Sequence, residues 1–176
     1  RGADAKEPPS DTDAAYVRSI YEGEIDFIDQ HVGRLIHKIK VLGMYQQATI
    51  VITSDHGEEF WDHDGFEHGH TLYDELILVP LIIKLPDSIK GTNPVVTPQV
   101  RVLDVMPTIF EIHSIDKPES FVGRSLLPLA RGEGFRRPAE KPASNTSRVK
   151  SKRHVPLHTF IYFILFVLFK LLTLAT

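Results

Sequence analysis

The chain has 176 residues, of which 42% are hydrophobic and 24% are charged, and its formal net charge at pH 7 is −3. This composition is typical of a folded globular protein, and it excludes both a disordered acidic chain and a nucleic-acid binder that relies on overall positive charge. The absence of cysteine excludes disulfide frameworks, cysteine-based zinc sites and thiol catalysis.

Changes in composition along the chain predict four segments. Residues 1–13 are polar and are expected to be flexible, whereas residues 14–130 carry the patterns of a folded domain. Residues 131–156 hold eight basic and two acidic residues and three prolines, which predicts a basic linker. Residues 157–176 are almost wholly apolar and long enough to cross a bilayer core as a helix, so they form a candidate transmembrane or anchor segment. A buried C-terminal helix is the alternative.

The folded segment begins with the pattern of a long amphipathic helix. Between residues 14 and 42, apolar side chains recur every three or four positions, which indicates one buried helix face. Residues 11–13 are candidate caps for its start, and Gly43 suits a left-handed stop. The predicted face consists of Val17, Ile20, Tyr21, Ile25, Ile28, Val32, Leu35, Ile36, Ile39 and Leu42.

Two short apolar runs and a second helix follow. Residues 48–53 are β-branched and lack alternation, which favours a strand buried on both faces, and residues 79–85 predict a second strand. Residues 103–115 predict a helix, and residues 86–98 a loop. The order of these elements predicts an α/β fold, with a sheet flanked by helices and a hydrophobic helix at the C-terminus.

The segment from residue 55 to residue 75 contains the candidate metal-ligating and catalytic residues. It holds eight acids and four histidines without Lys or Arg, which is costly unless water or a cation compensates the charge. Asp55 and His56 directly follow the first predicted strand, and in open α/β sheets ligands bind at the carboxyl ends of strands. A carboxylate oxygen beside an imidazole nitrogen suits Zn²⁺, Mn²⁺ or Fe²⁺ and is less typical of Ca²⁺. A solvated acidic loop is the alternative.

A second focus is the sequence His68-Gly69-His70. Histidine titrates near neutral pH, so His68 or His70 is a candidate metal ligand or general acid. We expect the remaining histidines that this loop and the helices carry to be surface or structural residues: His31, His37, His63 and His113.

These motifs together resemble one enzyme family. The sequence SDHGEEFWDHDGFEHGHTLYDELILVPLIIKLP is similar to the C-terminal metal-site region of sulfatases, which belong to the alkaline phosphatase-like superfamily. The preceding YEGEIDFIDQHVGRLIHKIKVLGMYQQATIVITSDHGE and the following RVLDVMPTIFEIH and FVGRSLLPL also resemble the family's flanking elements. The resemblance covers residues 14–130 and implies the C-terminal part of a sulfatase-like catalytic domain, with part of its sheet.

The resemblance implies roles for individual residues. Asp55 and His56 match the family's late pair of metal ligands, so one divalent ion (Ca²⁺, Mn²⁺ or Zn²⁺) is the expected cofactor. His68 matches the position of a basic side chain near the ester oxygens or leaving group, and His70 is the alternative. Many sulfatases carry Asp-Asn at the metal pair, whereas Asp-His occurs in the phosphatase and phosphonate hydrolase branches.

The resemblance also sets the expected function. The family's nucleophile lies in a Cys/Ser-x-Pro-x-Arg segment or is a Thr or Ser, and this chain has neither that segment nor the early Asp ligands. We therefore expect part of a metal-dependent sulfuric ester hydrolase whose nucleophile lies outside this chain, so that the chain alone is inactive. The alternatives are a phosphoric or phosphonic ester hydrolase, a phosphoethanolamine transferase, or a membrane-tethered non-catalytic fragment.

Expected partners are a sulfate or phosphate ester, the missing N-terminal part of the catalytic domain and, through the tail, a membrane, but no nucleic acid. The family implies an extracytoplasmic location, and the apolar tail implies association with a membrane. The basic residues that precede the tail would instead place residues 1–130 on the cytoplasmic side by the positive-inside rule, so the orientation stays open.

Overall fold

The structure is a computed structural model, and it describes residues 9–133 and the backbone of residues 164–168. The elements, in chain order, are α1 (Asp11–Val41), β1 (Thr49–Thr53), β2 (Glu59–Phe60), β3 (Phe66–Glu67), α2 (Asp74–Ile77), β4 (Leu81–Lys84), a 3₁₀ turn (Val102–Asp104), α3 (Val105–Ile112), α4 (Leu127–Ala130) and β5 (Ile164–Leu168). This mixture of helices and small sheets confirms the predicted α/β class.

Helix α1 follows the predicted pattern closely. The cap is Ser10 rather than one of residues 11–13, which lie inside the helix: the Ser10 hydroxyl accepts a hydrogen bond from the Asp13 backbone N–H. Gly43 has a φ of 69°, and the Met44 N–H bonds to the Ile39 carbonyl, so the helix ends in a left-handed cap as expected. Its inner stripe is only half-buried apart from Ile39, and three residues of the predicted face are exposed: Ile20, Leu35 and Leu42.

Two sheets are formed by the described residues. One has three strands in the order β4-β1-β5, and the other is the antiparallel pair β2-β3. Strand β1 is buried at four of its five positions, as its β-branched, non-alternating sequence predicts, whereas β4 is partly exposed. Sequence patterns missed β2, β3, α2 and α4, because each has two to four residues and so presents no periodicity.

The C-terminal tail differs from the prediction where the structure describes it. Residues Ile164–Leu168 form a strand that pairs in the β4-β1-β5 sheet, rather than part of an apolar helix. The segment consists of aromatic and branched apolar residues, which favour strands when a sheet edge can supply backbone partners. Among the described residues, no helix combines the length and apolarity that crossing a bilayer requires. The rest of the predicted tail and most of the predicted linker lie outside the described residues.

The chain divides into two compact units. Of the described residues up to 133, the first unit comprises 9–38 and 52–81, and it carries the candidate site. The second comprises 39–51 and 82–133, and it contains most of the apolar core. The buried apolar side chains of the second unit are Ile39, Ala48, Ile50, Val51, Val105, Ile109, Ile112, Leu126, Leu127 and Leu129.

A buried acid organises the second unit. Asp104 is fully buried, and its carboxylate accepts hydrogen bonds from the backbone N–H groups of Arg101 (2.9 Å) and Arg124 (3.0 Å). The Arg101 guanidinium lies 3.7 Å from the same carboxylate. Gly123 is required beside it, because a Cβ there would lie 1.9 Å from the Leu103 carbonyl oxygen. The acid therefore ties the start of α3 to the segment that leads into α4.

Candidate metal and catalytic site

The candidate site begins where the chain leaves β1. Ser54 is still buried, whereas the Asp55 side chain is about half exposed, so the chain emerges from the core at the residue that the sequence predicts as a metal ligand. The His56 backbone N–H donates to Asp55 Oδ1 at 3.0 Å. Asp55 Oδ2 lies 3.7 Å from His56 Nε2, so the two predicted ligands present an oxygen and a nitrogen to the same space.

The orientation of the His56 ring is fixed by the backbone. His56 Nδ1 lies 2.9 Å from the Gly57 carbonyl oxygen. A carbonyl only accepts, so Nδ1 must carry the proton of this hydrogen bond. In the neutral ring the lone pair then lies on Nε2, which is the nitrogen that faces Asp55 and the form in which imidazole binds a metal.

Gly57 is required by space rather than by its backbone conformation. Among the described residues, the glycines with a left-handed φ are Gly43, Gly69 and Gly132. At Gly57 the constraint is space, because a Cβ would lie 1.9 Å from the Glu75 carbonyl oxygen. The Gly57 N–H also donates to the Leu76 carbonyl at 2.8 Å, so the start of the site is packed directly on the backbone of α2.

His68 is brought onto His56 from twelve residues away. The two imidazole rings stack with centroids 4.0 Å apart and an interplanar angle of 30°. His68 Nδ1 lies 2.7 Å from Glu58 Oε1, and the Glu58 side chain is only 13% exposed. His56, Glu58 and His68 each offer one ligand atom within 4.8 Å of the others. Small side-chain rotations would bring such atoms to the separations of at most about 4.2 Å that two metal–ligand bonds of about 2.1 Å allow.

The other two predicted site residues, Asp55 and His70, lie outside this group. Asp55 contacts His56 but is not a member of the group formed by His56, Glu58 and His68. His70 is exposed and belongs to neither of the two groups in the described chain whose geometry suits an ion. The structure therefore brings together three of the four predicted residues and leaves His70 apart.

A second group of ligand-type side chains lies in the same loop. Glu59, His63 and Glu75 offer ligand atoms within 4.8 Å of one another, and both glutamates are buried. His63 Nδ1 contacts Glu75 Oε1, and its ring stacks on Tyr73 at 3.8 Å. The expectation that His63 is a plain surface or structural residue is therefore too simple.

Sequence reasoning missed the glutamates of both groups. The signal available was the density of acids without a basic residue between positions 55 and 75. Composition shows that the negative charge must be compensated, but it does not show which acids are buried. Their burial depends on how the loop folds back on itself, and only four of its residues lie in the strands β2 and β3.

The hairpin that separates the two groups has an unusual backbone. Trp61, Asp64 and Glu67 all have φ values of 61–67°, in the left-handed region that residues with side chains rarely adopt. The Trp61 ring stacks on Phe66 with centroids 4.4 Å apart, and the Trp61 backbone N–H donates to the Gly65 carbonyl at 2.7 Å. These contacts hold the tight turn and so set the spacing between β2 and His68.

One tyrosine of α1 lies beside the loop. The Tyr21 ring packs edge-on against Phe60 at 4.8 Å, and its hydroxyl is buried without a hydrogen-bond partner among the described residues. Burial, and then the negative charge of Glu58, raise the pKa of Tyr21 above its usual range. Tyr21 therefore stays neutral at any physiological pH.

Comparisons of the sequence and of the fold with known proteins identify related enzymes. The sequence profile of the sulfatase family ("Sulfatase") matches residues 2–115. The chain is 32% identical over 112 residues to arylsulfatase K of Bos taurus, and 35% identical over 119 residues to the multifunctional alkaline phosphatase superfamily protein PehA of Trinickia caryophylli. These alignments cover 64% and 66% of the chain. Among solved structures, the phosphonate monoester hydrolase SpPMH of Silicibacter pomeroyi matches with 36% identity and a TM-score of 0.55 over 61% of the chain.

The chain spans about a fifth to a quarter of the length of these proteins: 20% of arylsulfatase K, 23% of PehA and 21% of SpPMH. Sulfatases are hydrolases of sulfate esters that use a metal ion, and the loop described above contains groups of the right chemistry to hold one. The match of the family profile to most of the described residues, together with these relatives, shows that the chain belongs to the sulfatase family.

Proposed function

We propose that this chain supplies part of the active site of a metal-dependent sulfuric ester hydrolase, with Asp55 and His56 as metal ligands and His68 beside the leaving oxygen. The observation that carries the proposal is the stacking of His56 on His68 at 4.0 Å, because it joins the two motifs that the family resemblance assigns to one site. When bound, the metal ion would polarise the ester oxygens and favour the ionised nucleophile.

Glu58 is the residue that adapts His68 for this role. Its carboxylate accepts from His68 Nδ1–H at 2.7 Å, which leaves Nε2 as the nitrogen directed away from Glu58. In its imidazolium form, His68 would carry a proton at Nε2 that it can donate to, or share with, the oxygen that leaves the ester.

His68 is preferred to His70 on this geometry. His68 contacts both a candidate ligand and a carboxylate, whereas His70 is exposed and joins neither group in the described chain. We keep His70 as the alternative proton donor, because the loop places it only two residues away.

Metal binding by the full chain tests the ligand assignment. Asp55→Asn and His56→Gln should each weaken Zn²⁺ or Mn²⁺ binding by tenfold or more, since a lost ligand costs at least what a lost partner of a ligand costs, about 10- to 100-fold. His70→Gln is the matched control and should bind as the wild type does. Equal affinity of all four proteins, measured by isothermal titration calorimetry, would contradict the assignment.

The chain alone should not turn over an ester. It contains no cysteine and no Ser-x-Pro-x-Arg segment, so the family's nucleophile must come from outside these 176 residues. We expect the purified chain to release no nitrophenol from 4-nitrophenyl sulfate with or without added metal. Metal-dependent release that His68→Ala abolishes would show that the chain carries its own nucleophile and would overturn this part of the proposal.

A phosphorus ester is the second candidate substrate. The Asp-His pair at residues 55 and 56 and the likeness to SpPMH and PehA favour it. Parallel rates of the natural protein that contains this sequence on nitrophenyl sulfate, nitrophenyl phosphate and a nitrophenyl phosphonate distinguish the reactions. The extracytoplasmic location and the phosphoethanolamine transferase reaction are proposals that rest on the family resemblance alone.

A further inference from the structure

We infer that Glu59, His63 and Glu75 form a second divalent-cation site, separate from the proposed catalytic one. Their ligand atoms lie within 4.8 Å of one another, and the set of two carboxylates and one imidazole suits Zn²⁺ or Mn²⁺. Nothing in the proposed catalysis uses these three side chains.

The separation of the two groups follows from the backbone. Glu58 and Glu59 are adjacent at the start of β2, and successive side chains along an extended strand point to opposite faces. Glu58 accordingly contacts His68, whereas Glu59 contacts Thr71 and lies near His63 and Glu75. Each glutamate thus serves a different group.

The Glu59 carboxylate is buried, and the described residues satisfy its hydrogen-bonding capacity only in part. Its side chain is only 2% exposed, and its Oε2 accepts one hydrogen bond, from the Thr71 hydroxyl at 3.0 Å. Its Oε1 is buried without a hydrogen-bond partner among the described residues. A buried carboxylate oxygen that lacks a partner is costly, and buried charges are ordinarily paired or bound to a metal.

No lysine or arginine among the described residues forms an ion pair with this carboxylate. Glu75 is itself buried and adds a second negative charge, and the strand register places Glu67 directly opposite Glu59. Arg18 reaches the same loop, but its guanidinium donates to the Phe60 carbonyl and lies 3.4 Å from Asp62. A protonated His63 would balance only one of the two buried carboxylates.

The space for the Glu59 carboxylate is provided by Gly65. A Cβ at Gly65 would lie 2.6–2.7 Å from the three atoms of that carboxyl group. Substitution by alanine would therefore push the carboxylate aside while it leaves all three candidate ligands in the sequence. An ion at this position would tie the hairpin to α2 and so fix the loop that carries His68.

The test is Zn²⁺ binding by the full, untagged, metal-stripped chain, measured by equilibrium dialysis. In a His56→Gln/His68→Gln background, which removes the first group, we expect one equivalent of Zn²⁺ to remain. Glu59→Gln or Gly65→Ala in that background should remove it, whereas Asp64→Asn, an exposed acid of the same hairpin, should not. Retention of the equivalent in Glu59→Gln, or no Zn²⁺ in the background protein, would overturn the inference.

This design distinguishes failure of the second cation site from failure of the proposed function. If the wild type binds one equivalent that His56→Gln/His68→Gln abolishes and Glu59→Gln preserves, the proposed function stands and the second site does not exist. Thermal unfolding gives an independent readout that does not rely on binding capacity. Zn²⁺ should raise the Tm of the His56→Gln/His68→Gln protein and should leave that of the Glu59→Gln triple variant unchanged. Equal shifts in the two proteins would contradict the inference even if Glu59→Gln alters the stability of the loop.

Discussion

Asp104 and Glu59 are both buried acids, yet the protein treats them in opposite ways. Asp104 receives two backbone N–H donors and faces the Arg101 guanidinium, so its charge is compensated within the fold. Glu59 receives one hydroxyl and keeps an oxygen without a partner among the described residues. The contrast separates a structural acid, which the fold compensates for itself, from an acid whose compensation we assign to a bound cation.

The same contrast extends to the segments that carry these residues. Around Asp104, backbone N–H groups donate to the buried carboxylate, and the Thr108 hydroxyl donates to the Asp104 carbonyl and accepts from the Leu126 N–H. The loop from residue 55 to residue 75 instead combines half-exposed histidines, buried glutamates and three residues of left-handed φ. Such backbone strain concentrates at functional sites, where the surrounding structure holds it in place.

The largest expected effect comes from removal of the structural acid. Asp104→Ala removes a buried carboxylate that accepts from two backbone N–H groups and faces the Arg101 guanidinium, and it should lower the free energy of unfolding by about 3–5 kcal/mol. Glu59→Gln in metal-free buffer should instead change it by no more than about 1 kcal/mol, or raise it, because the amide keeps the Thr71 contact and removes a charge. Urea unfolding of both variants measures the difference, and similar losses would remove the contrast.

Two glycines allow a direct comparison of the regions. A Cβ at Gly57 or at Gly123 would lie 1.9 Å from a backbone carbonyl oxygen, so alanine at either position should destabilise the protein by about 1–3 kcal/mol or more. Gly23→Ala, on the open side of α1, is the control and should stabilise by about 0.4–1 kcal/mol. A neutral Gly57→Ala would show that the start of the site is not packed on α2 as described.

A smaller effect is expected at Tyr21. Since burial raises its pKa in the folded chain, the folded state holds the phenolic proton after the unfolded state, with an ordinary pKa of 10.0, has lost it. The Tyr21 contribution to stability should therefore be present below about pH 10 and decline above it. Tyr21→Phe should abolish that decline, which the difference in unfolding free energy between the two proteins at about pH 9 and about pH 11 would reveal. A parallel loss in both proteins would contradict the assignment.

The sequence predicted the elements that have long periodic or uniformly apolar patterns. Helix α1, its Gly43 stop and the buried strand β1 were predictable, because amphipathic spacing, left-handed capping and β-branched runs each act locally. Ile20, Leu35 and Leu42 are exposed despite lying in the predicted pattern, since the buried stripe is narrower than the full set of apolar residues.

The candidate site was predictable only in part. Asp55, His56 and His68 stand out by their place after a strand and by the family resemblance, and the described structure brings His56 and His68 into contact. Glu58, Glu59, His63 and Glu75 form their groups through a hairpin of two-residue strands, which no periodicity reveals. The tail shows the same limit, because five of its residues form a strand where apolar composition predicts a helix.

The most direct test of the account is an anomalous difference map from a crystal of the protein soaked in Zn²⁺ and measured at the zinc edge. The account predicts a peak about 2.0–2.2 Å from Nε2 of His56 and a carboxylate oxygen of Asp55. It predicts a second peak between Glu59, His63 and Glu75. Zinc bound only at surface histidines outside residues 55–75, with none beside His56, would contradict the claim that this loop is a metal site.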